Sequence, residues 1–267
     1  MSSPPSPTTD SGRKFLTAEW RLLAMLNYEI DPAIVQPLVP RGTELDLFQG
    51  QTFVSVVGFM FLRTRLLGIP VPFHRHFEEV NLRFYVRREV GGEARRGVTF
   101  VKELVPRWAI AKVARWAYNE NYASLPMRHR FIGLPDPRTG AMTAGVGVGT
   151  RAGLGAPSVE YGWRTASQWN SLRVAVDGSA SPLVPGSLAE FITEHYWGYC
   201  SQRDGGTLEY RVDHPSWNVW TKCVAELNCD VERLYGPQFV GALSRPSASA
   251  FLADGSRVSV GRPTRLP

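Results

Sequence analysis

The chain has 267 residues, 43% hydrophobic and 20% charged, with a formal charge of +6. Such a chain can bury a sizeable core, and no stretch approaches the roughly 20 consecutive apolar residues that a membrane helix needs. Only four residues are lysines, at positions 14, 102, 112 and 222, while the arginines are scattered from Arg13 to Arg265 without a block or helical stripe, which gives nucleic-acid binding little support.

The opening MSSPPSPTTDSG is polar and proline-rich without an apolar centre, which predicts a disordered tail over residues 1–14, one domain over 15–267 and a cytoplasmic location. Residues 26–30 have strand composition, and Asp31-Pro32 then opens a short helix that Pro37 and Pro40 end. Residues 43–48 and 52–61, joined through Gln49-Gly50, predict a hairpin whose second strand is apolar on both faces. Residues 77–89 and 97–104 alternate around Gly91-Gly92 as a second hairpin, and helical spacing follows over 107–118.

From 138 to 157 glycine and alanine dominate, predicting a loop. GVGVGTRAG within it lacks the preceding strand, following helix and Lys-Ser/Thr pair of a nucleotide loop. Residues 158–166 and 170–176 alternate again. The strongest helix signal runs over 187–199, where Ser187 and Glu190 form a capping box and Leu188, Phe191, Ile192 and His195 follow at helical spacing. Gly205-Gly206 turns the chain, and strands are expected at 207–212, 220–227 and 247–252.

Candidate chemistry is sparse. Cys200, Cys223 and Cys229 lack CxxC spacing and are expected to be free thiols. HRHFEE would align His74, His76 and Glu78 on one strand face, but Pro70 and Pro72 lead into it, so a solvent-facing edge is expected and neither metal nor cofactor is assigned. No GxSxG elbow is present, and His214 in VDHPSWNVW stands either in a loop or at an aromatic pocket edge. In EVNLRFYV the row Glu79, Asn81, Arg83 and Tyr85 alternates with the apolar Val80, Leu82, Phe84 and Val86, so it faces either water or an interior cavity.

Six segments together resemble the YqjF-like family in the acetoacetate-decarboxylase-like superfamily: residues 28–61, FEEVNLRFYV (77–86), GVTFVKEL with the following Ala-Arg (97–115), SLAEFITEHYWGY (187–199), YRVDHPSW (210–217) and PSASAFLADGSRVSV (246–260). The resemblance implies a β-rich α+β fold, a closed cone-shaped antiparallel β-barrel with a few peripheral helices, and homo-oligomers among its members. It also implies that the polar row points inward and that Glu79 matches an active-site glutamate of the decarboxylases. Those enzymes form a Schiff base through a lysine in a Gly-Tyr-Pro-Lys-Lys pattern. The best match here runs from Ala114-Arg115 to Asn119–Tyr122, so Tyr122 and Ala123 stand where the two amines would be. A phenol does not condense with a ketone.

The expectation is therefore a barrel that binds an acidic or carbonyl-bearing small molecule with Glu79, Asn81, Arg83, Tyr85 and Tyr122, and with Arg115 nearby. The alternatives are a decarboxylase or other lyase using Lys102 or Lys112, and a basic-surface module for nucleic acid or protein.

Overall fold

The computed structural model describes residues 14–70, 75–106, 121–143 and 156–267. The expected tail, apart from Lys14, and the expected helix at 107–118 lie outside these residues, as does most of the glycine-rich segment. In chain order the strands are β1 (Leu16–Glu29), β2 (Glu44–Leu45), β3 (Phe53–Leu66), β4 (Ile69–Pro70), β5 (Phe77–Val90), β6 (Glu93–Val105), β7 (Tyr122–Ser124), β8 (Met127–Ile132), β9 (Ser158–Arg164), β10 (Trp169–Val176), β11 (Ser181–Pro182), β12 (Trp197–Ser201), β13 (Thr207–Asp213), β14 (Asn218–Trp220), β15 (Cys223–Asn228), β16 (Ser249–Val260) and β17 (Thr264–Arg265).

Seven of these close a barrel in the order β16, β1, β3, β5, β6, β12, β13 and back to β16. Closure removes the exposed edges that an open sheet would present. As expected the barrel is antiparallel at six of its seven junctions, and the junction between β6 and β12 is parallel. Its cause is topological: the chain leaves the barrel after β6, builds a separate four-stranded sheet partly from β8, β9 and β10, and returns to lie along β6. Gly97 makes the junction close, since a side chain there would meet the Trp197 carbonyl oxygen and the Tyr199 ring at 2.6 Å.

The separate sheet, ordered β15, β10, β9, β8, covers one outer flank of the barrel. Alternation along β5 therefore serves two cores. Val80, Leu82, Phe84 and Val86 pack outward with Tyr161, Trp163 and Leu172, while Phe77 and Tyr85 join Met25, Phe59 and Phe251 inside. Tyr161 also donates to the Leu22 carbonyl at 2.8 Å, at an irregular step in β1 where Leu22 has a φ of 52°.

Several expected elements shift. β1 and β16 are longer than the strands foreseen, because each is paired on both sides, β1 with β16 and β3, and β16 with β1 and with β13 and β14. The expected 43–48/52–61 hairpin does not form as such. Phe48 and Gln51 make the turn, but β2 pairs with β5 through Glu44 and Arg87. The Ser187-capped helix covers Leu188–Thr193 and stops there, short of the expected 199. The following residues are captured by the barrel, with the Tyr196 amide donating to the Arg96 carbonyl at 3.1 Å.

Gly58 sets how closely the outer sheet approaches: a side chain there would meet Tyr161 at 2.7 Å and Leu172 at 3.0 Å. Gly58→Ala should therefore destabilise the fold by about 1–3 kcal/mol, read as a lower urea midpoint with an unchanged transition slope.

Candidate functional site

The barrel encloses a cavity of about 200 Å³. Much of its wall is aromatic: Trp20 meets Phe59 and Phe61 edge-on at 5.4 and 5.9 Å, and Phe61 stacks on Phe77 at 4.7 Å. The polar groups lie on adjacent strands. Glu79, Asn81 and Arg83 come from β5, Glu103 from β6 and Tyr122 from β7, with Asn81 opposite Glu103 and Glu103 opposite Tyr122.

The polar groups are buried and partly satisfied. Asn81 Nδ2 donates to Glu79 Oε1 at 3.0 Å. Arg83 Nη2 donates to the Ile192 carbonyl at 3.3 Å, which ties the guanidinium to the end of the Leu188–Thr193 helix. Arg83 Nε and Asn81 Oδ1 are buried without hydrogen-bond partners among the described residues.

Tyr85 belongs to the same inward row but does not line the cavity; its hydroxyl shares a 2.6 Å hydrogen bond with Ser55, which donates to Asn27. This network fixes the floor beside the site. Arg115 and Lys112 lie outside the described residues. Lys102 points the other way: it sits opposite Leu82 on the outer face, and its Nζ donates to the Leu234 carbonyl at 2.5 Å. Burial lowers its pKa from the ordinary value. Among the described residues no lysine lines the cavity.

One lining residue carried no assigned role in the sequence. His195 is buried, and its Nε2 lies 3.1 Å from Asp46 Oδ2, which also accepts from Arg96 Nε at 2.7 Å. Burial would raise the Asp46 pKa, but the hydrogen bonds from His195 and Arg96 outweigh it and hold the carboxyl below its ordinary value. Burial also pushes the His195 pKa down to about 4, against the Asp46 hydrogen bond and with help from Arg96 and Arg83. The ring is therefore neutral near pH 7, and the ionised Asp46 selects the tautomer that carries hydrogen on Nε2. Nδ1 is left as a buried lone pair without a partner among the described residues. The available signal was a histidine on the same helical face as Phe191 and Ile192; its partner is 149 residues away in sequence.

His214 stands at an aromatic pocket edge. It stacks on Trp217 at 4.2 Å and, with Trp197, lines both the cavity and a wider depression beside it. Lys14, Arg65 and Arg75 line that depression without a carboxylate contact among the described residues, whereas Arg63 and Arg211 are paired with Glu19 and Asp213. In the HRHFEE stretch, Glu78 pairs with His129 and His76 accepts from the Arg63 amide at 3.4 Å; His74 lies outside the described residues. Among the described residues no three His, Cys, Asp or Glu side chains converge as a metal site. The three cysteines are free, and no described helix is long and apolar enough to cross a membrane.

Comparison with known proteins places this geometry. The sequence profile of DUF2071, described as an uncharacterized conserved protein, matches residues 17–257. The chain belongs to the DUF2071 family. Among curated proteins, YqjF of Bacillus subtilis (strain 168) is 38% identical over 68 residues, a match spanning 25% of this chain and 28% of YqjF. Acetoacetate decarboxylase from Legionella pneumophila superposes with a TM-score of 0.59 at 13% identity, over 100% of this chain and 92% of that one. An acetoacetate decarboxylase-like enzyme from Sphingomonas wittichii RW1 gives 0.60 at 16% identity, over 95% and 93%. The enduracididine biosynthesis enzyme MppR, complexed with pyruvate, gives 0.61 at 14% identity, over 100% and 92%. At these identities the likeness is one of fold, and this DUF2071 chain shares the decarboxylase-like barrel.

The depressed His195 pKa makes the stability of this DUF2071 protein pH-dependent. Between about pH 6.5 and 4 the unfolded chain protonates this imidazole while the folded one does not, so stability falls as pH drops through that window. The contribution should reach roughly 2–4 kcal/mol at its lower end. His195→Gln should flatten that slope in urea titrations at stepped pH.

Proposed function

We propose that this protein binds a small molecule with an acidic or carbonyl head and a flat, apolar body inside its barrel. The observation that carries this reading is a chiefly aromatic cavity whose wall also holds Glu79, Asn81, Arg83 and Glu103, with Arg83 Nε and Asn81 Oδ1 buried just behind it and without a partner among the described residues. Each unmatched group costs about 1–3 kcal/mol when buried. A ligand bringing an oxyanion to Arg83 and a hydrogen-bond donor to its neighbours would offset that cost.

Two further observations support the reading. The cations beside the mouth, Lys14, Arg65 and Arg75, would draw an anion toward the barrel. Pyruvate, a carbonyl-bearing acid, is bound by MppR, which has the same fold. Schiff-base decarboxylation through Lys102 is not supported, because that amine is engaged by Leu234 on the outer face.

Calorimetric titration with phenylpyruvate, an aromatic acid with a ketone, tests the proposal. Arg83→Met should weaken binding by about 2–5 kcal/mol, and the wild-type association rate should fall with rising salt. Borohydride treatment in the presence of acetoacetate should leave Lys102 unmodified by mass spectrometry; a reduced adduct there would overturn the preference for binding without a Schiff base.

A further inference from the structure

We infer that the β3–β4 hairpin is a membrane-docking element: its apolar turn enters the interfacial layer of an anionic lipid bilayer while the cations on its stem meet the phosphate headgroups. This goes beyond the ligand reading above and does not depend on it.

The hairpin turns in two residues, Leu67 and Gly68, with Leu66 paired to Ile69 and Arg65 to Pro70. Both turn residues have positive φ, 51° and 84°. Asparagine and glycine adopt that conformation at little cost, and leucine does not. Leu67 nonetheless stands there with 52% of its surface exposed, and Ile69 beside it is 70% exposed. Neither belongs to the buried clusters or packs against them. Single exposed apolar residues are ordinary on a protein surface. Here two of them flank one glycine, one in a backbone conformation unsuited to its side chain, and the fold gains nothing from either.

Three exposed cations are tied to the stem of this hairpin. The Leu67 amide donates to the Phe15 carbonyl at 2.8 Å, next to Lys14, and the Thr64 amide donates to the Arg75 carbonyl at 3.3 Å. Arg65 is part of β3 and reaches the Gly68 carbonyl at 3.4 Å. All three line the depression beside the cavity. Of the carboxylates there, Glu19 is held by Arg63, Asp213 by Arg211, and Glu194 accepts from Tyr196 and Ser216, while Glu93 stands on the β5–β6 hairpin. The surplus around the turn is therefore positive.

A bilayer fits this arrangement better than a second copy of the chain. Two side chains supply far less than the roughly 800 Å² per partner that a stable protein interface buries. A symmetric pair would also set the cations against their own copies. Interfacial docking needs only a small apolar area backed by cations, each worth about fivefold in binding near an anionic surface. Phe15, Leu16 and Leu66 at the stem also line the cavity, so docking brings the wall of the apolar chamber up to the lipid.

Co-sedimentation with vesicles tests the proposal, using phosphatidylcholine alone and an equal mixture with phosphatidylglycerol. Wild-type protein should bind the mixed vesicles at least about tenfold more tightly, and rising salt should weaken that binding. Leu67→Asn suits the backbone, so it should keep or raise the urea midpoint while weakening vesicle binding about tenfold. Ile69→Ser should also weaken it, and Arg65→Gln with Arg75→Gln should remove most of the preference for the mixed vesicles. No binding to the mixed vesicles, equal binding to the two kinds, or undiminished binding by folded Leu67→Asn and Ile69→Ser overturns the proposal. Light scattering without vesicles should give the same state of assembly for wild type and Leu67→Asn. An oligomer that Leu67→Asn dissociates assigns the turn to self-association and overturns the bilayer reading.

Discussion

Burying charge inside a barrel is the constraint on which the rest of this structure depends. A carboxylate or guanidinium moved from water into an apolar interior loses several kcal/mol of hydration unless fixed dipoles and counter-charges replace it. Here the replacements are local and specific: an amide on Glu79, a helix-end carbonyl on Arg83, an imidazole and a guanidinium on Asp46. Each requires a backbone segment in one place. The Leu188–Thr193 helix supplies the Ile192 carbonyl and leads directly into His195, so its capped start and abrupt end set the position of two groups in the wall.

The outer sheet has a complementary role. β5 can present polar groups inward because its other face is fully engaged with Tyr161, Trp163 and Leu172, which supply apolar burial that the polar row does not. A strand with a wet outer face would have had to draw its hydrophobic contacts from the cavity side. The two faces of one strand therefore divide apolar packing from the polar part of the cavity wall.

Much of this was legible in the sequence where the determinants are local. The alternation over residues 77–89 and 97–104 with Gly91-Gly92 between them gave the β5–β6 hairpin, and Ser187 with Glu190 marked the helix start. The resemblance to the decarboxylase-like superfamily anticipated the barrel. Long-range pairing was not legible: nothing near Glu44 points to Arg87, and aromatic residues at 196–199 fit a helical period as well as a strand until β6 is present to pair with them. The Asp46–His195 contact was hidden for the same reason. A histidine beside Phe191 and Ile192 suggests burial, but the carboxylate that sets its tautomer comes from a loop far along the chain.

The closure of the barrel carries a consequence for how the protein is made. β1 lies between β3 and β16, and its start pairs Leu16 with Val260. During synthesis one rim of β1 must wait, with its backbone groups open to solvent or to other strands, until the segment around residue 260 has left the ribosome. A nascent chain can fold the β5–β6 hairpin early but holds no enclosed chamber. The cavity is thus a property of the finished ring, and Phe15, Leu16 and Val260, from the two ends of the barrel-forming segment, come together in its wall.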